Sequence, residues 1–590
     1  MLRSLAVALT AAVSVGFAPG IASAVQGSRY HEGVSGRGGV VATESPAAAR
    51  EGRAVLARGG NAIDAAVTTV FALNAARPQS CGIGGGGYMV YRSPDGKVRT
   101  LDFREIAPAA IKPDTFVGPG YHKWFTGHLT VGVPGTLAGM ASALQRFGTI
   151  SLPEALAPAE RLARLGLRVP TSMTGAMARR ARDLVQFRAA GAIYLKNGQP
   201  YAPGDTLRNP DLARTFRIIM RHGTGAFYGG PIARLIVRDM RAPRPDTKDA
   251  GLLTVKDFQA YKPIWRVPLH GTYRGRDIYA MGPSSSGGTT MLEILNLLEG
   301  YDLKAFGPSS VQAVSAIAEA QKIAWADRGL YLGDPAYVRQ PTGQLTSKEY
   351  AAQRRAEIDL DRPKTYAPGV FPAGPTALGA QPRAAGEDFN PHGSTTHVSV
   401  IDAKGGAVAV TCTIEQEFGS AVVAPGTGLL LNNELTDFSA PGTANEPAPG
   451  KRPRSSINPT IMVQDGKPVL VAGAAGGSTI IMGPTQAIID TVDFGMTLPQ
   501  AVDAERVDDQ GSSRLTIEDA RFAPAVLDQL LAKGYTLARQ GEYGPTPRMQ
   551  LAGLAPGAAG LATAVSDSRS DRGSLAVPTS APRPTKAPVR

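Results

Sequence analysis

Cysteine is nearly absent from this 590-residue chain, with only Cys81 and Cys412 present. That scarcity excludes a scaffold stapled by disulfides, and the commoner fate of such a pair is to be two partly buried small residues. Long apolar runs are missing too. Past the first residues, no stretch reaches the ~20 residues that a membrane-spanning helix needs. Nor does any stretch cluster lysine and arginine with interleaved aromatics, so nucleic-acid binding has little support despite a formal net charge of +13. Much of that charge is peripheral: removing Arg3 at the start and Arg583, Lys586 and Arg590 in the tail leaves +9 on the body. No internal repeat is visible.

What is present begins with an export signal. Met1-Leu2-Arg3 is a short basic start, residues 5–17 are mostly apolar, and Ala22-Ser23-Ala24 is a small-residue cleavage site. The mature chain is therefore expected to begin at Val25 and to work outside the cytoplasm, in a periplasm or the medium. Glycine (69) and proline (46) are abundant, while 43% hydrophobic content is ample for a large core.

Two runs around a short glycine-containing turn predict a β-hairpin: residues 395–402, which alternate polar and apolar, and residues 407–415, which are β-branched and apolar. With Asp402 facing Ala407, Thr395 falls opposite Ile414, flanked by Thr413 and Glu415. The preceding residues 390–394 are polar and flexible, so a cut between Ser394 and Thr395 is expected. Such a cut frees an α-amine beside the Thr395 hydroxyl, a known way to activate a weak nucleophile. His397 shares the face of Thr395, but the amine makes a histidine base unnecessary. An ordinary hairpin with threonine at strand positions is the plain alternative.

Elsewhere, Ser45-Pro46 starts a small-residue helix that Gly59-Gly60 ends, and Asn61 starts another running to about Asn74. Residues 82–87 match G-x-G-x-x-G, but they lead into a strand rather than a helix, so a dinucleotide fingerprint is excluded. A close backbone approach suits them better. That strand turns at residues 93–96 and returns to Phe103, delivering Arg104-Glu105 where a carboxylate clamp could stand. Residues 152–260 are largely helical, with Pro158 expected to kink or restart the first helix. Residues 282–288 precede a helix without matching G-x-S-x-G, and are expected to cap it and form a tight loop. Residues 361–393 predict a long surface loop, residues 473–478 a glycine turn able to donate N–H groups, and the chain from about Ser574 a disordered tail.

In residues 82–87, 102–105, 283–288, 331–335, 395–397, 431–434, 437–438, 451–453, 455–456 and 476–477, the chain resembles the γ-glutamyltransferases (γ-glutamyl transpeptidases) of the N-terminal nucleophile hydrolase superfamily. The resemblance implies an α/β fold, a four-layer αββα sandwich, and self-cleavage into a large subunit, 25–394, and a small subunit, 395–590, intertwined in one domain. It makes Thr395 the nucleophile and Thr413 its support. Arg104, Ser455 and Ser456 would hold the substrate α-carboxylate, Glu415, Glu434 and Asp437 its α-amino group, and Gly476 and Gly477 the oxyanion. No metal or cofactor is implied. Glutathione or other γ-glutamyl compounds would be donors, with water, amino acids or peptides as acceptors. The segment between Asp437 and Lys451 is short and lacks the aromatic lid loop of some members, which leaves acceptor preference open. A related acylase acting on glutaryl or poly-γ-glutamyl substrates, and an unprocessed γ-glutamyl-peptide-binding homologue, are the alternatives.

Overall fold

The computed structural model describes residues 32–117, 126–242, 250–371, 393–511, 514–544, 547–554 and 560–578. The export signal, most of the 361–393 loop and the end of the tail lie outside these residues.

Two seven-stranded antiparallel sheets form the centre. The first runs Gly573–Ala576, Gly39–Thr43, Gly393–Asp402, Ala407–Gln416, Gly86–Arg92, Val98–Asp102, Ile264–Arg266. The second runs Val34–Gly36, Ala562–Ser566, Arg548–Leu554, Lys467–Ala475, Thr460–Gln464, Arg276–Ala280, Leu269–Tyr273. Small apolar residues fill the space between them: Val40, Ala42, Val90, Ile401 and Ala409 from one, Ile461, Val471, Ala552 and Ala564 from the other. Such side chains let the sheets sit close, as face-to-face β layers do.

The outer faces are covered by helices. Val398, Val400, Val408 and Val410 of the first sheet pack on helices Pro46–Ala57 and Ala62–Ala76. Leu470, Ala472 and Leu551 of the second pack on helices Gly287–Leu298, Val311–Tyr331 and Met482–Val492. The result is the four-layer αββα sandwich. Its period-2 alternation sends Thr395, His397 and Ser399 into the space between the sheets, and Val398 and Val400 to the helices.

The structure corrects five local expectations. The hairpin register is shifted by one, so that Ile401 faces Ala407 and Thr395 faces Thr413. Asp402 stays in the strand opposite Gly39, its N–H donating to the Gly406 carbonyl (2.9 Å), while its carboxylate accepts from the N–H groups of Lys404 (2.8 Å), Gly406 (2.9 Å) and Ala62 (2.9 Å) and so holds the turn. Pro158 lies inside one unbroken helix, Leu152–Leu165, whose start is secured by a capping box between Ser151 and Glu154. Ser286, at the N-cap of the next helix, does not cap it through its side chain; the Ser285 hydroxyl accepts the Gly287 N–H (3.2 Å), and the Ser285 and Ser286 hydroxyls donate to the carbonyls of Ile457 and Ser455. Ser574 is no disordered residue, because strand Gly573–Ala576 pairs with Gly39–Thr43.

The fifth concerns the cysteines, which form a disulfide with Cα atoms 5.4 Å apart. The glycine run brings them together. A Cβ on Gly85 would lie 2.0 Å from the Thr413 carbonyl, and one on Gly87 2.0 Å from that of Thr411. Only glycine allows this approach, which lays the loop after Cys81 against the strand that carries Cys412. Among the described residues, no helix is long and apolar enough to cross a membrane.

Candidate active site

The shifted register puts two hydroxyls face to face. Thr395 and Thr413 are buried directly opposite each other, their Oγ atoms 3.0 Å apart. The Thr413 hydroxyl also donates to the Ser394 carbonyl (3.3 Å) and accepts the Glu415 N–H (2.8 Å). Upstream, the Ser394 hydroxyl lies 2.8 Å from that of Ser80. Pairing is irregular here, with Gly393 opposite Gln416 and Thr395 opposite Thr413. Two steps on one strand therefore face three on the other, a β-bulge. Glu415 absorbs it in the left-handed region, at φ 77°. The Glu415 carboxyl lies near Asn433 and Asp437.

Arg104 leaves the end of strand Val98–Asp102 and is buried. Its N–H is held by Asp102 (3.0 Å), whose carboxylate also accepts from Arg452 (3.2 Å) and Arg266 (2.9 Å). The guanidinium is ion-paired with Glu434 and Asp437, donates to the Pro453 carbonyl (3.2 Å), and lies 3.9 Å from Glu105. Asn432 fixes the loop that carries Glu434: its amide donates to the carbonyls of Gly84 (2.8 Å) and Gly132 (2.9 Å).

This pocket holds more acid than base. Burial opposes the Arg104 charge, but Glu434 and Asp437 outweigh it and hold the group firmly protonated. Burial raises Glu434 and Glu415 well above the usual carboxylate range, with Asp437 raising both further; Arg104 pulls Glu434 the other way, and Arg180 and Arg104 do so for Glu415. Glu105 is pushed up to about 7, chiefly by burial, and neither of its carboxyl oxygens has a hydrogen-bond partner among the described residues. Four carboxyl groups thus crowd Arg104, outnumbering it even with Arg180 acting on Glu415, and an arriving cation would let more of them ionise.

Ser455 and Ser456 lie on the segment whose Pro453 and Arg454 carbonyls accept from Arg104. The Ser455 carbonyl accepts from the Ser286 hydroxyl (2.6 Å), and Arg328 donates to the Ser456 hydroxyl (3.0 Å). Gly476 (φ 140°) and Gly477 (φ 62°) end strand Lys467–Ala475 in conformations that suit glycine, and the short 3₁₀ turn Gly477–Ile481 packs against the Thr395 strand. His397 is fully buried between the sheets. It bonds the Thr411 (2.7 Å) and Ser399 (3.1 Å) hydroxyls and sits over Gly473, and burial lowers it to about 3. A histidine held neutral there is a packing element.

The family model for gamma-glutamyltranspeptidase matches residues 48–577. The chain belongs to the gamma-glutamyltranspeptidase family. It is 38% identical to the glutathione hydrolase proenzyme of Escherichia coli (strain K12), over 90% of each chain. It is also 37% identical to the acylase ACY 1 proenzyme of Pseudomonas sp. (strain V22), over 86% of this chain and 88% of that one. Its fold is similar to the crystal structure of cephalosporin acylase from Bacillus halodurans, with a TM-score of 0.82 at 28% identity, over 95% of this chain and 99% of the other.

In this gamma-glutamyltranspeptidase, several residues of the site carried no usable sequence signal. Glu105 stood beside Arg104 in plain view, yet a glutamate after an arginine is common on surfaces, and only its burial reveals it. Ser80 and Ser394 are separated by 314 positions, and Arg328 reaches Ser456 from a helix with no local pattern to mark it. Among the described residues, no group of three or more His, Cys, Asp or Glu could hold a metal ion.

Proposed function

We propose that this protein is a self-cleaving γ-glutamyltransferase and glutathione hydrolase, exported through residues 1–24 and matured into segments 25–394 and 395–590. In the precursor, the Thr395 hydroxyl attacks the carbonyl carbon of Ser394, which is bonded to the Thr395 nitrogen, so that the attack closes a five-membered ring. Thr413, already donating to that carbonyl oxygen, stabilises the negative charge that develops there. The acyl group moves from the Thr395 nitrogen to its oxygen, and water hydrolyses the ester, leaving Thr395 with a free α-amine.

In the mature enzyme that amine takes the hydroxyl proton while Thr395 attacks the γ-carbonyl of a donor such as glutathione. N–H groups around Gly476 and Gly477 receive the oxyanion. The donor's amine leaves, taking that proton from the Thr395 amine, and the γ-glutamyl ester passes to water or to the amino group of an amino acid or peptide. Arg104, with Ser455 and Ser456, takes the α-carboxylate, and Glu415, Glu434 and Asp437 surround the α-ammonium. For this, Arg104 exchanges part of its contact with its own acids for the substrate carboxylate.

The observation that carries this reading is the excess of buried carboxyl groups around Arg104, beside the Thr395 hairpin. A glutaryl chain has no α-ammonium, so an acylase gains nothing from them and still desolvates them. The acylase among the relatives makes that the second reading. Comparing γ-glutamyl and glutaryl anilides decides between the two: kcat/KM is expected to favour γ-glutamyl strongly, and Glu415→Gln to erode that preference by weakening the γ-glutamyl donor. Equal values in the unmutated enzyme would overturn the proposal in favour of the acylase.

A further inference from the structure

The Cys81–Cys412 disulfide lies across the junction at which the chain is proposed to cut itself. Cys81 directly follows Ser80, whose hydroxyl meets that of Ser394 at 2.8 Å. Cys412 directly precedes Thr413, whose hydroxyl reaches Thr395 at 3.0 Å and the Ser394 carbonyl at 3.3 Å. One cysteine therefore belongs to the segment gripping the upstream side of the junction, and the other to the segment gripping the nucleophile.

We propose that this disulfide becomes the covalent bond between the two subunits once the Ser394–Thr395 peptide bond is cut. The proposal rests on the self-cleavage reading given above. Cleavage consumes one water and breaks one C–N bond; it leaves the sulfur–sulfur bond untouched, with one sulfur in segment 25–394 and the other in 395–590. The bond itself forms when two thiols give up two protons and two electrons to a thiol–disulfide exchange oxidant, a class of reagent found outside the cytoplasm. Reduction by two electrons and two protons would return both thiols.

The position suits a permanent link. Cys81 and Cys412 are both buried, and they sit among Ile83, Val410 and the helix Ala62–Ala76. Thr395 and Thr413 face the other way, into the space between the sheets. A thiol released at Thr395, such as the dipeptide left from glutathione, would meet the hydroxyl face of the strand and not the sulfurs behind it. Exchange needs in-line access to a sulfur, so the link survives turnover.

The test uses the mature protein as purified from the exporting cell, its free thiols blocked with iodoacetamide before denaturation. Denaturing gels are run with and without dithiothreitol, and the bands are identified by mass. One band without reductant and two with it is the expected result. Two bands in both lanes overturn the interchain bond while leaving self-cleavage standing. One band in both lanes overturns self-cleavage, and this proposal with it. Cys412→Ser, which keeps Thr395 and Thr413, is expected to give two bands without reductant; should it fail to accumulate, the unmutated lanes decide alone.

Discussion

Replacing Thr413 by valine tests how the chain cuts itself. The two side chains have nearly the same shape, so the substitution deletes a hydroxyl without opening a cavity. That hydroxyl has one proton, and its lone pair already accepts the Glu415 N–H at 2.8 Å. The proton is directed at the Ser394 carbonyl (3.3 Å) or Thr395 Oγ (3.0 Å), the two groups proposed to react. As Thr395 attacks, charge gathers on the Ser394 oxygen, and a hydrogen bond to a charged acceptor is worth about 1.5–3 kcal/mol. Losing it slows maturation roughly 10- to 150-fold. Valine also strands the buried Glu415 N–H, at a cost of about 1–3 kcal/mol. That cost falls equally on precursor and transition state, so it appears in Tm and not in the cleavage rate. The assay follows loss of the uncut band on reducing, denaturing gels from fresh precursor. Thr395→Ala gives the uncut baseline, and Thr413→Ser, which keeps the hydroxyl, is expected to mature at close to the unmutated rate. Valine maturing at the unmutated rate would refute the role of the Thr413 hydroxyl.

Arg104→Lys is expected to weaken γ-glutamyl donors by about 1.5–3 kcal/mol, because an ammonium cannot engage two acids and a planar carboxylate as a guanidinium does. Steady-state kinetics read this, and unchanged KM and kcat would remove Arg104 from the site. The second expectation concerns pH. Burial raises Glu105 to about 7 and lifts Glu415 and Glu434 as well, so the empty pocket holds extra protons. A bound α-ammonium favours the ionised acids, so the complex holds fewer protons than the free enzyme, and binding strengthens as pH rises through about 7. The donor KM should fall across that range, and a flat or rising KM would count against the shared-acid pocket.

The layers and the hairpin were legible because they rest on local pattern: alternation over residues 395–402, small-residue helices with caps at Ser45 and Asn61, and a glycine run entering a strand. The register was not. It was decided by Asp402, which stands opposite Gly406 and whose carboxylate bonds three N–H groups, one of them from a helix 340 residues away. One position of slip moved Thr413 from the far face of the sheet to a place opposite Thr395, which no alternation pattern could reveal. The disulfide was missed for a similar reason. Its geometry depends on the closeness of the glycine run to the strand behind it, a long-range fact. Glu105, Ser80 and Arg328 became visible only through burial and contacts from distant segments.

The strand order has a kinetic consequence. In the first sheet the strands Gly393–Asp402 and Ala407–Gln416 lie between Gly39–Thr43 and Gly86–Arg92, and the second sheet likewise mixes strands from both sides of residue 395. The uncut chain folds as a first-order process, because its halves meet at an effective concentration of the order of millimolar set by the linker. Two separate pieces would have to find each other by diffusion, a second-order process that falls away with dilution. At nanomolar levels that is a loss of roughly a millionfold in encounter frequency. The proposed self-cleavage would thus act as a ratchet: the fold is reached once as a single chain, and a molecule that opens afterwards loses its way back unless some other bond keeps its halves together.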